Sequence, residues 1–287
     1  MEEAMNPTLA SGIFTALATG LLVLVGFAQV VVLRGQRRQQ RLDQAEIYRK
    51  RWADCRGDWA KVVFMGHDRG AFYQVADSQT VERLEEDVAA GTDGRVAWAF
   101  DSVRSISAIL SDVSLRILQG QLQVSDVYPV FGSELLRQSR QLRNLLEHGY
   151  SRYPYGRLVP SSAEQQHDSL RDHLNSWLVY HDGIRRRCLI LIDLLWAEAA
   201  RLEDLPPDDL ESAADAKKTS GDGCRKRLSS ECKRLNGYWD RGLNKQLTNF
   251  LRHAEYRRKF SRVGIDPDRL ALLKKEWVDR LLHNPPN

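Results

Sequence analysis

Between Cys224 and Arg262 the chain carries twelve Lys or Arg residues against Glu231, Asp240 and Glu255, and Tyr238, Trp239, Phe250, Tyr256 and Phe260 lie among them. Cations meet phosphate oxygens and aromatic faces stack on bases, so this mixture suits RNA. It suits anionic lipid headgroups equally well. The candidate contacts are Arg225, Lys226, Arg227, Lys233, Arg234, Arg257, Arg258 and Lys259. The plainer alternative is a solvated helix face whose aromatics belong to the core. The whole chain of 287 residues carries only +4, so what lies outside this stretch is net acidic.

Elsewhere the reactive residue types are scattered. Cys55, Cys188, Cys224 and Cys232 show neither CxxC nor CxxH spacing, which points to reduced thiols rather than a zinc site or a disulfide framework. Three His-Asp pairs, His67-Asp68, His167-Asp168 and His181-Asp182, lack tight ligand spacing, so no metal is expected. No glycine-rich phosphate loop, supported Ser-His-Asp set or paired-carboxylate motif occurs, and no cofactor is implied. An ordinary metabolic enzyme is not expected. Asp193 stands inside an apolar run and needs an arginine or amide partner, because a buried carboxylate without one is costly.

Arg143, Asn144 and His148 spell Arg-Asn-x-x-x-His, which resembles the signature of HEPN domains, small helical ribonucleases. The resemblance implies acid-base work for His148, phosphate stabilisation by Arg143 and orientation by Asn144 across two protomers, without a metal. The alternative places His148 near a helix C-terminus, where its charge complements the dipole, and Arg137, Arg140 and Arg143 in a solvated row. Separately, the run LQGQLQVSDVYPVFGSELL, Leu118 to Leu136, resembles bacterial proteins that join one N-terminal anchor to a helical cytosolic domain; that resemblance implies no activity.

The elements that must position these residues begin with a membrane helix. No charge occurs from Ala4 to Leu33, and the apolar stretch from about Pro7 to Leu33 exceeds the roughly 20 residues that a bilayer core requires. Asn6 can cap it and Pro7 suits its first turn. Glu2 and Glu3 replace the positive start of a signal peptide, so an uncleaved anchor is expected. Arg34, Arg37, Arg38 and Arg41 follow, which puts the N-terminus outside and the C-terminal bulk in the cytoplasm of an inner or plasma membrane. Gly12, Ala16 and Gly20 recur every four residues and give two such helices a face for close approach.

Beyond the anchor, Ile47, Tyr48, Trp52, Cys55, Trp59, Val62 and Val63 follow helical spacing and extend it as an amphipathic stalk, with Gly35 and Gly57 as bends. A short helix is predicted over Ser78 to Ala90. Val96, Ala99, Val103, Ile106, Leu110, Val113 and Ile117 mark a stronger one with a core-facing stripe. A short turn from Ser125 to Pro129 precedes a helix from Ser133 to His148, and another runs from about Ser161 to Asp182. Cys188 to Ala200 is apolar nearly all round and should be the most buried. The stretch 206-223 lacks periodicity and reads as a flexible loop. A long helix then runs from Leu228 to Ala254, and a last one opens at Asp266 and Pro267.

These elements describe an all-α chain: an anchor over 1-35, a stalk and helical domain over 36-205, the loop over 206-223 and a basic helical hairpin over 224-287. The expected function is a membrane-tethered interaction module, self-associating, acting as a sensor or effector in bacterial stress or phage defence. Its expected partners are the lipid bilayer, a second copy of itself, RNA or anionic lipid, and a further protein.

Overall fold

The computed structural model describes residues 7–66, 79, 83, 94–146, 174, 176–202, 204–237, 241–252 and 267–283. Among them every regular element is an α-helix: α1 (Pro7–Asp54), α2 (Arg56–Gly66), α3 (Gly94–Leu118), α4 (Val124–Leu146), α5 (Asp182–Leu202), α6 (Pro207–Asn236), α7 (Arg241–Arg252) and α8 (Pro267–His283). The predicted helices at 78-90 and 161-182 fall largely outside the described residues.

The chain forms two compact units, Met1–Gln44 and Ala45–Asn287. The first therefore extends past the boundary read at residue 35. Residues 34–44 are mostly polar and exposed, and they offer no apolar stripe to a core. Burial begins at Ala45 and continues at Tyr48 and Trp52, at the three- and four-residue steps of one helix face. Ile47 is exposed instead, because one residue's offset from Tyr48 turns a side chain about 100° around the helix. Gly35 bends nothing; the break falls at Cys55, between α1 and α2.

In the second unit α5 is the central element, packed against α3, α4, α6 and α7. Cys188 through Leu195, with Ala197, Glu198 and Ala199, are all buried, as the all-round apolar sequence predicts. The α3 stripe of Val103, Ile106, Leu110, Val113 and Ile117 is buried as well. α2 closes another side of the core, where Trp52 meets Phe131 edge-on at 5.0 Å and lies 5.7 Å from Trp59. Such offset and edge arrangements suit the ring quadrupoles. The turn and helix predicted around Ser125 and Ser133 form one helix, α4, broken at Gly132, whose φ of 60° favours glycine.

Two readings of the C-terminal third need correction. Residues 207–223 are helical rather than a loop. Pro207 fits the first turn, Asp208 and Asp209 complement the helix dipole, and Ala213, Ala214, Ala216, Lys217 and Lys218 are strong helix formers. Propensity and end effects thus built a helix where periodicity was silent. The long helix expected from Leu228 to Ala254 is broken in turn at Gly237, with φ 65°, whose N–H donates to the Lys233 carbonyl at 3.0 Å. Asn236 Nδ2 donates to the Leu118 carbonyl at 2.7 Å and fixes that corner against the end of α3.

Candidate functional site

Arg143, in the last turn of α4, does not join a solvated row. Its guanidinium donates to Asp193 Oδ1 in the middle of α5, and only 25% of the Arg143 side chain and 2% of the Asp193 side chain are exposed. This is the arginine partner that the apolar surroundings of Asp193 demand. Cys224 of α6 lies close enough to the same carboxylate to feel its charge. Burial above all, and then the Asp193 charge, push that thiol up to about 11. A thiol held protonated is a poor nucleophile, and the Arg143 side chain, three-quarters buried against Asp193, presents little surface to a phosphate. Asn144 lies on α4, but its side chain and His148 lie outside the described residues.

The same pattern recurs along α5. Buried Glu231 of α6 accepts from Arg186 Nε at 2.9 Å and from Arg187 Nη1 at 3.3 Å. Arg187 Nε reaches Ser111 on α3 at 2.8 Å, so one arginine joins three helices. Near the end of α5, Arg201 grips buried Glu198 through Nε at 2.7 Å and Nη2 at 2.6 Å. The Arg143–Asp193 and Arg186/Arg187–Glu231 pairs, which join α5 to its neighbours, penalise any register of α5 that would separate their charges in the core. Asp193 was read beforehand as a residue in need of a partner, and Glu198, in the same apolar run from Cys188 to Ala200, carries the same signal. Glu231 sits in a sequence too polar to announce burial.

The predicted basic surface is sorted by the fold. Arg225 pairs with Asp222, and Arg227 is half-buried beside Cys224. Lys226, Lys233 and Arg234 are exposed on α6, as are Arg241 and Lys245 on α7. Asn244 Nδ2 donates to Ser229 Oγ at 3.1 Å, setting α6 and α7 as an antiparallel hairpin with Gly237 at its corner. That register brings Lys233 and Arg241 to the same end of the hairpin. Glu231 points inward, away from the lysines, and Phe250 packs against the core rather than standing free for base stacking. Arg257, Arg258, Lys259, Tyr238, Trp239, Tyr256 and Phe260 lie outside the described residues.

His181, of the third His-Asp pair, is exposed and stacks on Trp177 with ring centroids 5.1 Å apart.

In the first unit, α1 supplies a helix long and apolar enough to cross a membrane. Leu21, Leu22, Val23, Leu24, Val25, Phe27 and Val30 through Leu33 are each 45–72% exposed. Gly12, Ala16 and Gly20 share one face of α1 by their spacing. A Cβ at Gly20 would meet nothing within 4 Å, and the surroundings of Gly12 and Ala16 lie outside the described residues. Compared with protein-family models, with curated proteins and with solved structures, the chain matches none.

Proposed function

We propose that this protein is a membrane-tethered helical interaction module. The observation that carries the reading is the run of large apolar side chains from Leu21 to Leu33, all exposed on a helix of sufficient length. In water that surface is a liability; at a bilayer centre each Leu, Val or Phe gains about 0.3–0.6 kcal/mol, so these residues together favour insertion by roughly 3–6 kcal/mol. Arg34, Arg37, Arg38 and Arg41 favour a cytoplasmic second unit. Ala45 follows Leu33 by about a dozen residues, a chain length that spans at most about 40 Å. The second unit is thereby kept near the headgroups.

That proximity favours anionic lipid over RNA as the occupant of the Lys226, Lys233, Arg241 and Lys245 surface. Self-association through Gly12, Ala16 and Gly20 belongs to the same proposal, as does a sensor or effector role in a bacterial setting. The metal-independent ribonuclease is disfavoured by the commitment of Arg143 to Asp193. Alkaline carbonate extraction of membranes from expressing cells tests the tether: the protein should stay in the pellet, and recovery in the supernatant would refute it.

A further inference from the structure

A cavity of about 320 Å³ opens in the second unit where the α3–α4 turn, the end of α5 and α7 come together. Its volume equals about ten water molecules of liquid and lies at the lower end of the range for small-ligand pockets. Ile117, Leu122, Leu247 and Phe250 supply apolar walls, and Gln123, Ser125 and Gln246 stand at its polar side. The Glu198–Arg201 pair also lines it. Gly120, with φ 73°, adopts the left-handed backbone that favours glycine and turns the chain beside Leu243 of α7.

The two charges are not equally available. The Arg201 side chain is 45% exposed, whereas Glu198 is 2% exposed and lies behind it with both oxygens accepting from the guanidinium. A ligand entering the cavity therefore meets the cation. Arg201 commits one N–H from Nε and one from Nη2 to Glu198, and a guanidinium carries five. The remaining Nη1 and Nη2 donors form a planar edge matched to a carboxylate. Glu198 holds that edge in place before any ligand arrives, which lowers the ordering cost of binding.

We propose that this cavity binds a small organic monoanion, an aromatic or short-chain carboxylate whose apolar body lies against Leu122, Leu247 and Phe250 while its carboxylate meets Arg201. The cavity belongs wholly to the second unit, so the proposal stands whether or not α1 crosses a membrane.

The test uses the full chain in detergent, with empty micelles as the blank, and ligand-observed NMR titration of phenylacetate and its uncharged isostere phenylacetamide. Phenylacetate should bind saturably and at least about tenfold more tightly than the amide, because a hydrogen bond to a charged group is worth more than a neutral one. Arg201→Gln should abolish that preference, and Leu243→Trp, which fills the cavity from α7, should weaken both ligands. Equal binding of acid and amide, absence of saturable phenylacetate binding, or an unchanged preference in Arg201→Gln would overturn the proposal. Should Arg201→Gln fail to fold, Leu243→Trp decides alone, and phenylacetate binding that survives it rejects this site.

Discussion

Replacing Arg143 by Met keeps the bulk of the side-chain stem and removes the cation that contacts Asp193. The Asp193 carboxylate is almost wholly buried, at 2% side-chain exposure, so it cannot recover the lost interaction from bulk water. Breaking a buried pair on one side costs about 3–5 kcal/mol. At about 2–4 °C per kcal/mol for a chain of this size, Arg143→Met should lower Tm by roughly 6–20 °C. Replacing both partners, Arg143→Met with Asp193→Leu, should recover most of the loss, because an apolar pair of similar volume is close to neutral or better. The assay is thermal and urea unfolding followed by circular dichroism, on wild type, both single variants and the double. A shift below about 2 °C for Arg143→Met, or single effects that simply add in the double, would refute a buried, coupled pair. RNA integrity in cells separates this from catalysis: a ribonuclease would lose cleavage in Arg143→Met at matched protein level and unchanged stability.

Other outcomes follow from the same geometry. Cys224 is pushed up from 9.0 to about 11 and Cys188 to about 12, each chiefly by burial. Their folded forms keep protons that the unfolded chain releases, so their contribution to stability is complete below about pH 9 and is lost as pH rises through 11 and 12, at up to about 1.4 kcal/mol per thiol per pH unit. Cys224→Ala should flatten the alkaline limb of a stability-versus-pH curve, and an unchanged limb counts against the assignment. Gly237→Ala places a Cβ at φ 65° and should cost about 1–2 kcal/mol, whereas Gly57→Ala in α2 should be neutral or slightly stabilising; paired melting curves check the contrast. A reporter fused to the C-terminus should be active only in the cytoplasm, and activity confined to the far side would reverse the proposed topology. Replacing Gly12, Ala16 and Gly20 together by Leu should reduce crosslinking in membranes, and undiminished crosslinking removes that face from the self-association proposal.

The sequence by itself determined what depends on neighbours along the chain. Helical periodicity marked α3 and the buried face through Tyr48, Trp52, Trp59, Val62 and Val63, all-round apolarity marked α5, and an uncharged run longer than a bilayer core marked the start of α1. Periodicity failed at 207–223, where good helix formers and a favourable first turn sufficed without a visible stripe, and at Gly237, where a single backbone dihedral ends a pattern that the side chains continue. Tertiary structure alone decided the charges. Nothing local distinguishes Arg143, drawn onto Asp193 from 50 residues away, from Lys226 or Lys233 on the surface, or buried Glu231 beneath Arg186 and Arg187 from any acid on a solvated turn. A charged side chain has the same local propensity in water or in a core, and its role is set by whether folding removes its water and what it finds there instead.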